Sequence, residues 1–143
     1  MSQYFVTRGA CSHHTIFPGV DIFTTAGKHM MLSLVEFQPG AVVEPHSHPH
    51  EQMGLLIEGE LTFTVGQEKR TLKPGDMWRI PGGVVHSAVA GPDGVRAIDV
   101  FHPIRGDYLC RNPRLPAWAT VTIDNCRRGL LTIGPLQTAS GGT

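Results

Sequence analysis

Charge of one sign in excess is missing from this chain: twelve Lys and Arg are matched by twelve Asp and Glu over 143 residues. A balanced chain offers no basic stripe to a phosphate backbone and no polybasic face to an anionic bilayer, so neither nucleic acid nor membrane is expected as a partner. Cysteine is scarce, and its count of three is odd (Cys11, Cys110 and Cys126). An odd, unpatterned set makes no disulfide framework. The three read as free thiols of a reducing compartment rather than as a Cys110–Cys126 bridge plus one. No apolar run is long enough to span a bilayer. The start, MSQYFVTRGA, lacks the basic-then-apolar layout of a secretion signal. A cytoplasmic location is the resulting expectation. Heptads, internal repeats and low-complexity tracts are also absent, and long helical patterns are few.

Seventeen glycines and eleven prolines are present instead. That punctuation favours many short strands and tight turns, hence an all-β fold, and the length suits one domain over residues 1–143. Strands are expected at 4–7, 20–24, 28–37, 41–44, 51–57, 60–65, 68–72, 77–80, 86–90 and 95–102. Gly91-Pro92-Asp93-Gly94 reads as a turn, and Cys11-Ser12-His13-His14 as a loop with surface histidines. In 60–65 the alternation of Leu61, Phe63 and Val65 with Thr62 and Thr64 marks a half-buried strand. Two further strands are expected at 118–124 and 130–134.

Side chains with chemistry concentrate between Gly40 and Gly59, in GAVVEPHSHPHEQMGLLIEG. In an extended strand alternate side chains share a face, so His46 and His48 project the same way, about 7 Å apart along the backbone. Gln52 has the same parity if no bulge intervenes. Two imidazoles and an amide oxygen converging on one point make half of a metal site. Glu51 has the opposite parity and is expected to face outward. His50 has metal parity but follows Pro49 in a turn, where a loop role is favoured. A second stretch, Gly75 to His86, reads GDMWRIPGGVVH. Pro74-Gly75 and Pro81-Gly82-Gly83 supply turns on either side of a short strand, and His86 opens the next.

Gly40, five residues, His46-x-His48, three residues, Gln52, six residues and Gly59 resemble the first cupin motif. Gly75, five residues, Pro81-x-Gly83, two residues and His86 resemble the second. Two departures stand out: the family usually has Glu at the position of Gln52 and Asn at that of Ala90. The resemblance implies an antiparallel β-sandwich or barrel with jelly-roll topology. It also implies that His46, His48, Gln52 and His86 bind one divalent transition metal. Three imidazoles and an amide form a neutral ligand set, which leaves the ion nearly its full charge and makes it a stronger Lewis acid. Two positions of an octahedral arrangement stay open for a chelating substrate. Zinc or nickel suits imidazole well, with iron or manganese as alternatives.

A third stretch, Asp99 to Leu109, reads DVFHPIRGDYL. Asp99 and Phe101 share one face of the closing strand. A carboxylate in an apolar interior is costly unless it is paired or functional; the bland alternative is a rim Asp paired with Arg105. With this stretch the chain is similar to the small cupins of pectin and alginate degradation, which ketonise 4,5-unsaturated uronates. That resemblance covers residues 28–109 and leaves 110–143 as an extension with three alternative roles: to cap the pocket, to pair with the N-terminal strand or to cross to another subunit. It assigns Asp99 as catalytic acid/base and Phe101 and Arg105 as substrate-binding residues.

Four functions follow in order. The first is Lewis-acid and proton-transfer chemistry on a small carbonyl or enol substrate, with ketonisation of an unsaturated uronate as the specific form. The second is aromatic polyketide cyclisation, since the chain also looks like small cupin-type cyclases and carries Met30, Met31, Met53, Phe63, Met77 and Trp78 around its motifs. The third is a quercetinase-type dioxygenase, weakened by the missing motif glutamate. The fourth is a non-catalytic metabolite-binding cupin. Met53, Leu55 and Ile57 would form an outward apolar patch, for which a homodimer contact is expected.

Overall fold

A computed structural model describes residues 4–109. The extension, with the strands expected at 118–124 and 130–134 and with Cys110 and Cys126, lies outside the described residues. Eight strands follow in order: β1 Ser12–Phe17, β2 Val20–Ala26, β3 Met31–Phe37, β4 Val42–His46, β5 Glu51–Val65, β6 Glu68–Leu72, β7 Met77–Ile80 and β8 His86–His102. Short 3-10 turns occupy Arg8–Ala10 and Gly106–Tyr108. Among the described residues no helix is long and apolar enough to cross a membrane.

All pairings are antiparallel, and two long strands organise them. β5 and β8 pair with each other from Glu51↔His102 to Val65↔His86. The second half of β8 carries β3, β2 and β1, while the first half of β5 carries β7. The first half of β8 carries β4, and the second half of β5 carries β6. The result is two sheets sharing β5 and β8, a jelly-roll sandwich. Phe63 from one sheet meets Trp78 from the other at 5.1 Å between ring centroids.

The double role of β5 and β8 corrects four expected strands into two. Residues 51–57 and 60–65 are one strand, as are 86–90 and 95–102, and the turn expected at 91–94 is strand. The ladder shifts register between Leu56 and Glu58 and again between Gly59 and Leu61. Bulges of this kind bend a strand so that it can leave one sheet for another. Gly59 and Gly94 face each other there, both at positive φ, and a Cβ on Gly59 would lie 2.0 Å from the Gly94 carbonyl oxygen. Ile57, expected on the outward patch with Met53 and Leu55, is the residue skipped by the first shift and has no register partner.

Two N-terminal expectations are also corrected. Residues 4–7 form no strand, and Tyr4 and Phe5 are exposed. Ser12 to His14, expected as loop, opens β1 because Asp21, Phe23 and the β2 backbone offer it a full antiparallel partner. His13 is exposed there, stacked on Phe23 and bonded to Asp21.

Ile22, Leu56, Leu61 and Ile80 are each about 1% exposed and form the centre of the core. Full burial of one such side chain contributes about 1.5–3 kcal/mol. Leu56→Ala is expected to cost about 2–5 kcal/mol, because the lost transfer energy is joined by a cavity that rigid strands close poorly. Urea unfolding measures it; a loss below about 1 kcal/mol would show that the core relaxes around the deletion. On the outer face of β3, β8, β5 and β7, the cross-strand rows Leu32–Val100–Met53–Arg79 and Leu34–Ile98–Leu55–Met77 run side by side. Leu32, Met53 and Met77 are 48, 50 and 71% exposed, so this face is apolar and open.

Candidate functional site

His46 closes β4 and pairs with His86, which opens β8. Their rings lie 4.3 Å apart. β4 ends at His46, so His48 is not its strand neighbour; the connection of residues 47–50 brings it back over the pair. The strand-parity reasoning therefore does not account for His48. A backbone bond from Gly83 to the His48 carbonyl, at 2.8 Å, ties that connection to the turn before β8. Gly82 allows the approach, since a Cβ there would lie 2.2 Å from the Pro49 carbonyl oxygen. Gln52, on β5, is 5% exposed and faces inward. Glu51 faces out, as its parity requires.

One ring nitrogen from each of His46, His48 and His86 can be chosen so that all three lie within 4.8 Å of one another. The other nitrogens fix the tautomers. Nδ1 of His46 lies 2.8 Å from the Glu44 carbonyl, that of His86 2.8 Å from the Val84 carbonyl, and that of His48 3.1 Å from the His50 carbonyl. A carbonyl oxygen can only accept, so Nδ1 of His46 and Nδ1 of His86 carry the proton and their Nε2 atoms present lone pairs. Nε2 of His86 is buried without a partner. Nε2 of His48 stands 3.0 Å from Gln52 Oε1, so His48 faces an acceptor oxygen at each nitrogen and a neutral ring has one proton for the two. With that proton on Nδ1, as in His46 and His86, a cation between Nε2 and Oε1 satisfies both lone pairs, so the donor set fits a metal ion. Desolvation holds His46 and His86 below the ordinary imidazole range, and burial with the nearby Arg105 cation pushes His48 down to about 4. All three are thus neutral, the form that binds metal.

One cavity adjoins the triad. His46, Gln52, His86, Asp99, Arg105 and Tyr108 are among its polar lining residues, and Ile16, Ile22, Val35, Phe37, Phe63 and Phe101 are among its apolar side chains. Asp99 and Phe101 on β8 share the inward face as expected. Phe101 packs edge-on against His48, with centroids 5.7 Å apart.

Asp99 is not paired with Arg105. It accepts a 2.8 Å hydrogen bond from the Trp78 indole. Trp78 is on β7 and Asp99 on β8, with β5 between them; Gly54 is the β5 residue that pairs with both. A Cβ on Gly54 would lie 2.2 Å from the indole ring. Glycine there lets the indole cross the intervening strand and reach the carboxylate. Burial pushes the Asp99 carboxyl up to about 6, against the bonds from Gln52 and Trp78 that favour its charged form. Such a group can hold or release a proton near neutrality.

Arg105 is held on its other side. Nε and Nη2 donate to the two Asp107 oxygens at 3.4 and 3.0 Å, and Nη1 donates to the Tyr108 hydroxyl at 2.8 Å. Its Cζ lies 3.9 Å over the Tyr108 ring and 5.3 Å from the Phe101 centroid. Sequence reasoning found Asp99 and Arg105 but not Trp78, Gly54, Asp107 or Tyr108. Trp78 is visible only through strand register. The sole sequence signal for Asp107 and Tyr108 was their place two and three residues after the arginine.

A jelly-roll sandwich with a histidine cluster at the mouth of its inner cavity is the architecture of the cupins. Residues 33–101 match the cupin domain pattern, and this chain belongs to the cupin family. It is similar to the pectin degradation protein KdgF of Dickeya dadantii (strain 3937), 35% identical over 81 residues that cover 56% of this chain and 74% of the relative. It is also similar to the dimethylsulfoniopropionate lyase DddW of Ruegeria pomeroyi, 32% identical over 90 residues, 63% of this chain but only 57% of DddW. The structure of KdgF from Halomonas sp. superposes with a TM-score of 0.67 and 32% identity, covering 74% of this chain and 98% of that one.

Proposed function

We propose that this cupin is a metal-dependent, non-redox enzyme that moves a proton on a carbonyl or enol substrate, and that the substrate is a 4,5-unsaturated uronate which it ketonises. One observation carries the reading: the Asp99 carboxyl and the Arg105 cation line the same cavity as the histidine cluster. Likeness to a protein named for pectin degradation supports the substrate class. His46, His48, Gln52 and His86 would hold one divalent transition ion, zinc or nickel by the affinity of imidazole, with iron or manganese as alternatives. Bound there, the ion supplies Lewis-acid polarisation of a substrate oxygen.

The chain's own groups do the rest. Arg105 receives the carboxylate. Asp99, held by Trp78, delivers a proton to C4. The C4=C5 bond is lost and the C5 oxygen becomes a ketone. The bond between C1 and the ring oxygen breaks, C1 becomes an aldehyde, and the proton of the anomeric hydroxyl passes to solvent, from which Asp99 is reprotonated. Atoms balance without an oxidant. Phe101 and the apolar lining exclude water from the reacting carbons.

The test is anaerobic incubation of metal-analysed protein with a 4,5-unsaturated uronate, followed by ultraviolet absorbance of the conjugated acid. Metal-dependent loss of absorbance is expected. Unchanged absorbance with a full complement of metal would remove the uronate reading. The apolar share of the lining would then favour the second reading, aldol closure of a poly-β-ketone chain. We also take the open outer face of Leu32, Met53 and Met77 as a homodimer contact. Met53→Glu should convert a dimer to a monomer by light scattering, and a monomeric wild type at high concentration would contradict this.

A further inference from the structure

Arg105 is the obvious receptor for a carboxylate, yet three of its N–H groups are already engaged: Nε and Nη2 by Asp107, and Nη1 by the Tyr108 hydroxyl. One N–H remains on each terminal nitrogen. The Arg105 side chain is only 12% exposed, so it cannot swing freely to another partner.

Tyr108 is fixed just as firmly. Its carbonyl accepts from the Ser12 hydroxyl at 2.6 Å, its backbone N–H donates to the Arg105 carbonyl at 3.1 Å, and its ring stands edge-on to Phe101 at 5.6 Å. An arginine can only donate, so the Tyr108 oxygen is the acceptor in their bond and its own hydrogen points elsewhere. No acceptor among the described residues takes that hydrogen, and the side chain lines the cavity. Burial pushes the phenol up to about 12, so the hydrogen stays in place at neutral pH.

We propose that Tyr108 is the second arm of a carboxylate clamp: its O–H and the remaining terminal N–H groups of Arg105 together receive the two oxygens of the substrate carboxylate, while Asp107 acts as a positioning residue for the arginine. This rests on the reading of the cavity as a site for a carboxylate-bearing sugar. The 2.8 Å separation of Nη1 and the Tyr108 oxygen places two donors side by side, a spacing that a carboxylate can bridge. Asp107 occupies the side-on edge of the guanidinium and leaves the other edge for the substrate.

The experiment is calorimetric binding of galacturonate and of its methyl ester to the metal-loaded protein, comparing wild type with Tyr108→Phe. The variant keeps the ring, its packing and the cation–π contact, and removes only the donor. Galacturonate should bind about tenfold more weakly to Tyr108→Phe, with the ester unaffected, as expected for loss of one charge-assisted hydrogen bond. With the unsaturated uronate, KM should rise by a similar factor while kcat changes less than about twofold. Equal galacturonate affinity in both proteins, equal losses for acid and ester, or no galacturonate binding to wild type would overturn the clamp. Selective acid binding without ketonisation would leave the clamp standing and remove the uronate reaction. If Tyr108→Phe does not fold, Asp107→Asn must show an acid-selective loss that Asp107→Glu partly restores; the absence of that loss overturns the proposal too.

Discussion

His48→Ala is expected to abolish metal retention. His48 is the one cluster residue that no strand carries: it is returned to the site by residues 47–50 and by the bond from Gly83. Its Nε2 faces Gln52 Oε1 at 3.0 Å, and deletion removes one of the two donor atoms that a cation between them would engage. Loss of even an outer hydrogen-bond partner typically costs 10–100-fold in metal affinity, and loss of a ligand costs more. Element analysis after dialysis measures the effect. Full occupancy in the variant would show that His48 is not a ligand. Gln52→Glu should act in the opposite direction on affinity, because a carboxylate adds charge attraction, while weakening the Lewis acidity of the ion.

Asp99→Asn is expected to lower turnover by about 10²–10⁴-fold, the usual contribution of a positioned acid or base, with metal content unchanged. Unchanged turnover would return Asp99 to a structural role. Gly54→Ala tests the same group from a distance. The added methyl collides with the indole of Trp78, which must shift and release Asp99. A displacement of about 1 Å at a catalytic group can cost about 10²-fold, so kcat should fall on that order while metal content stays whole. Trp78→Phe removes the donor without a clash and should act in the same direction, by less. If Gly54→Ala were fully active, the indole bond would be irrelevant to the carboxylate.

The fold was legible because its turns are spelled by glycine and proline at fixed spacings, and its strands by alternation, as in Leu61, Phe63 and Val65. What failed was the counting of strands. Gly59 and Gly94 look like turn residues, but their positive φ serves a bend inside two long strands. Local sequence cannot distinguish a bend from a turn; the distinction depends on whether a partner strand continues on the far side. The histidine cluster was legible for a related reason, since His46 and His86 are register partners near recognisable turns. The support for Asp99 was not. Trp78 and Asp99 are 21 residues apart and meet only because Gly54 leaves a gap between them. The alternative of a rim Asp99 paired with Arg105 gives way to Asp107, which is closer along the chain and meets the guanidinium edge-on.

Proton delivery by Asp99 to one face of an enol is the central claim, and isotope labelling tests it most directly. The metal-loaded protein is incubated with a 4,5-unsaturated uronate in deuterium oxide, and the product is followed by proton NMR. One deuterium should enter at C4, on a single face, and Asp99→Asn should lose that stereochemical bias along with the rate. Deuterium spread equally over both faces in the wild type, or a single-face product undiminished in Asp99→Asn, would contradict a proton held and delivered by this carboxyl.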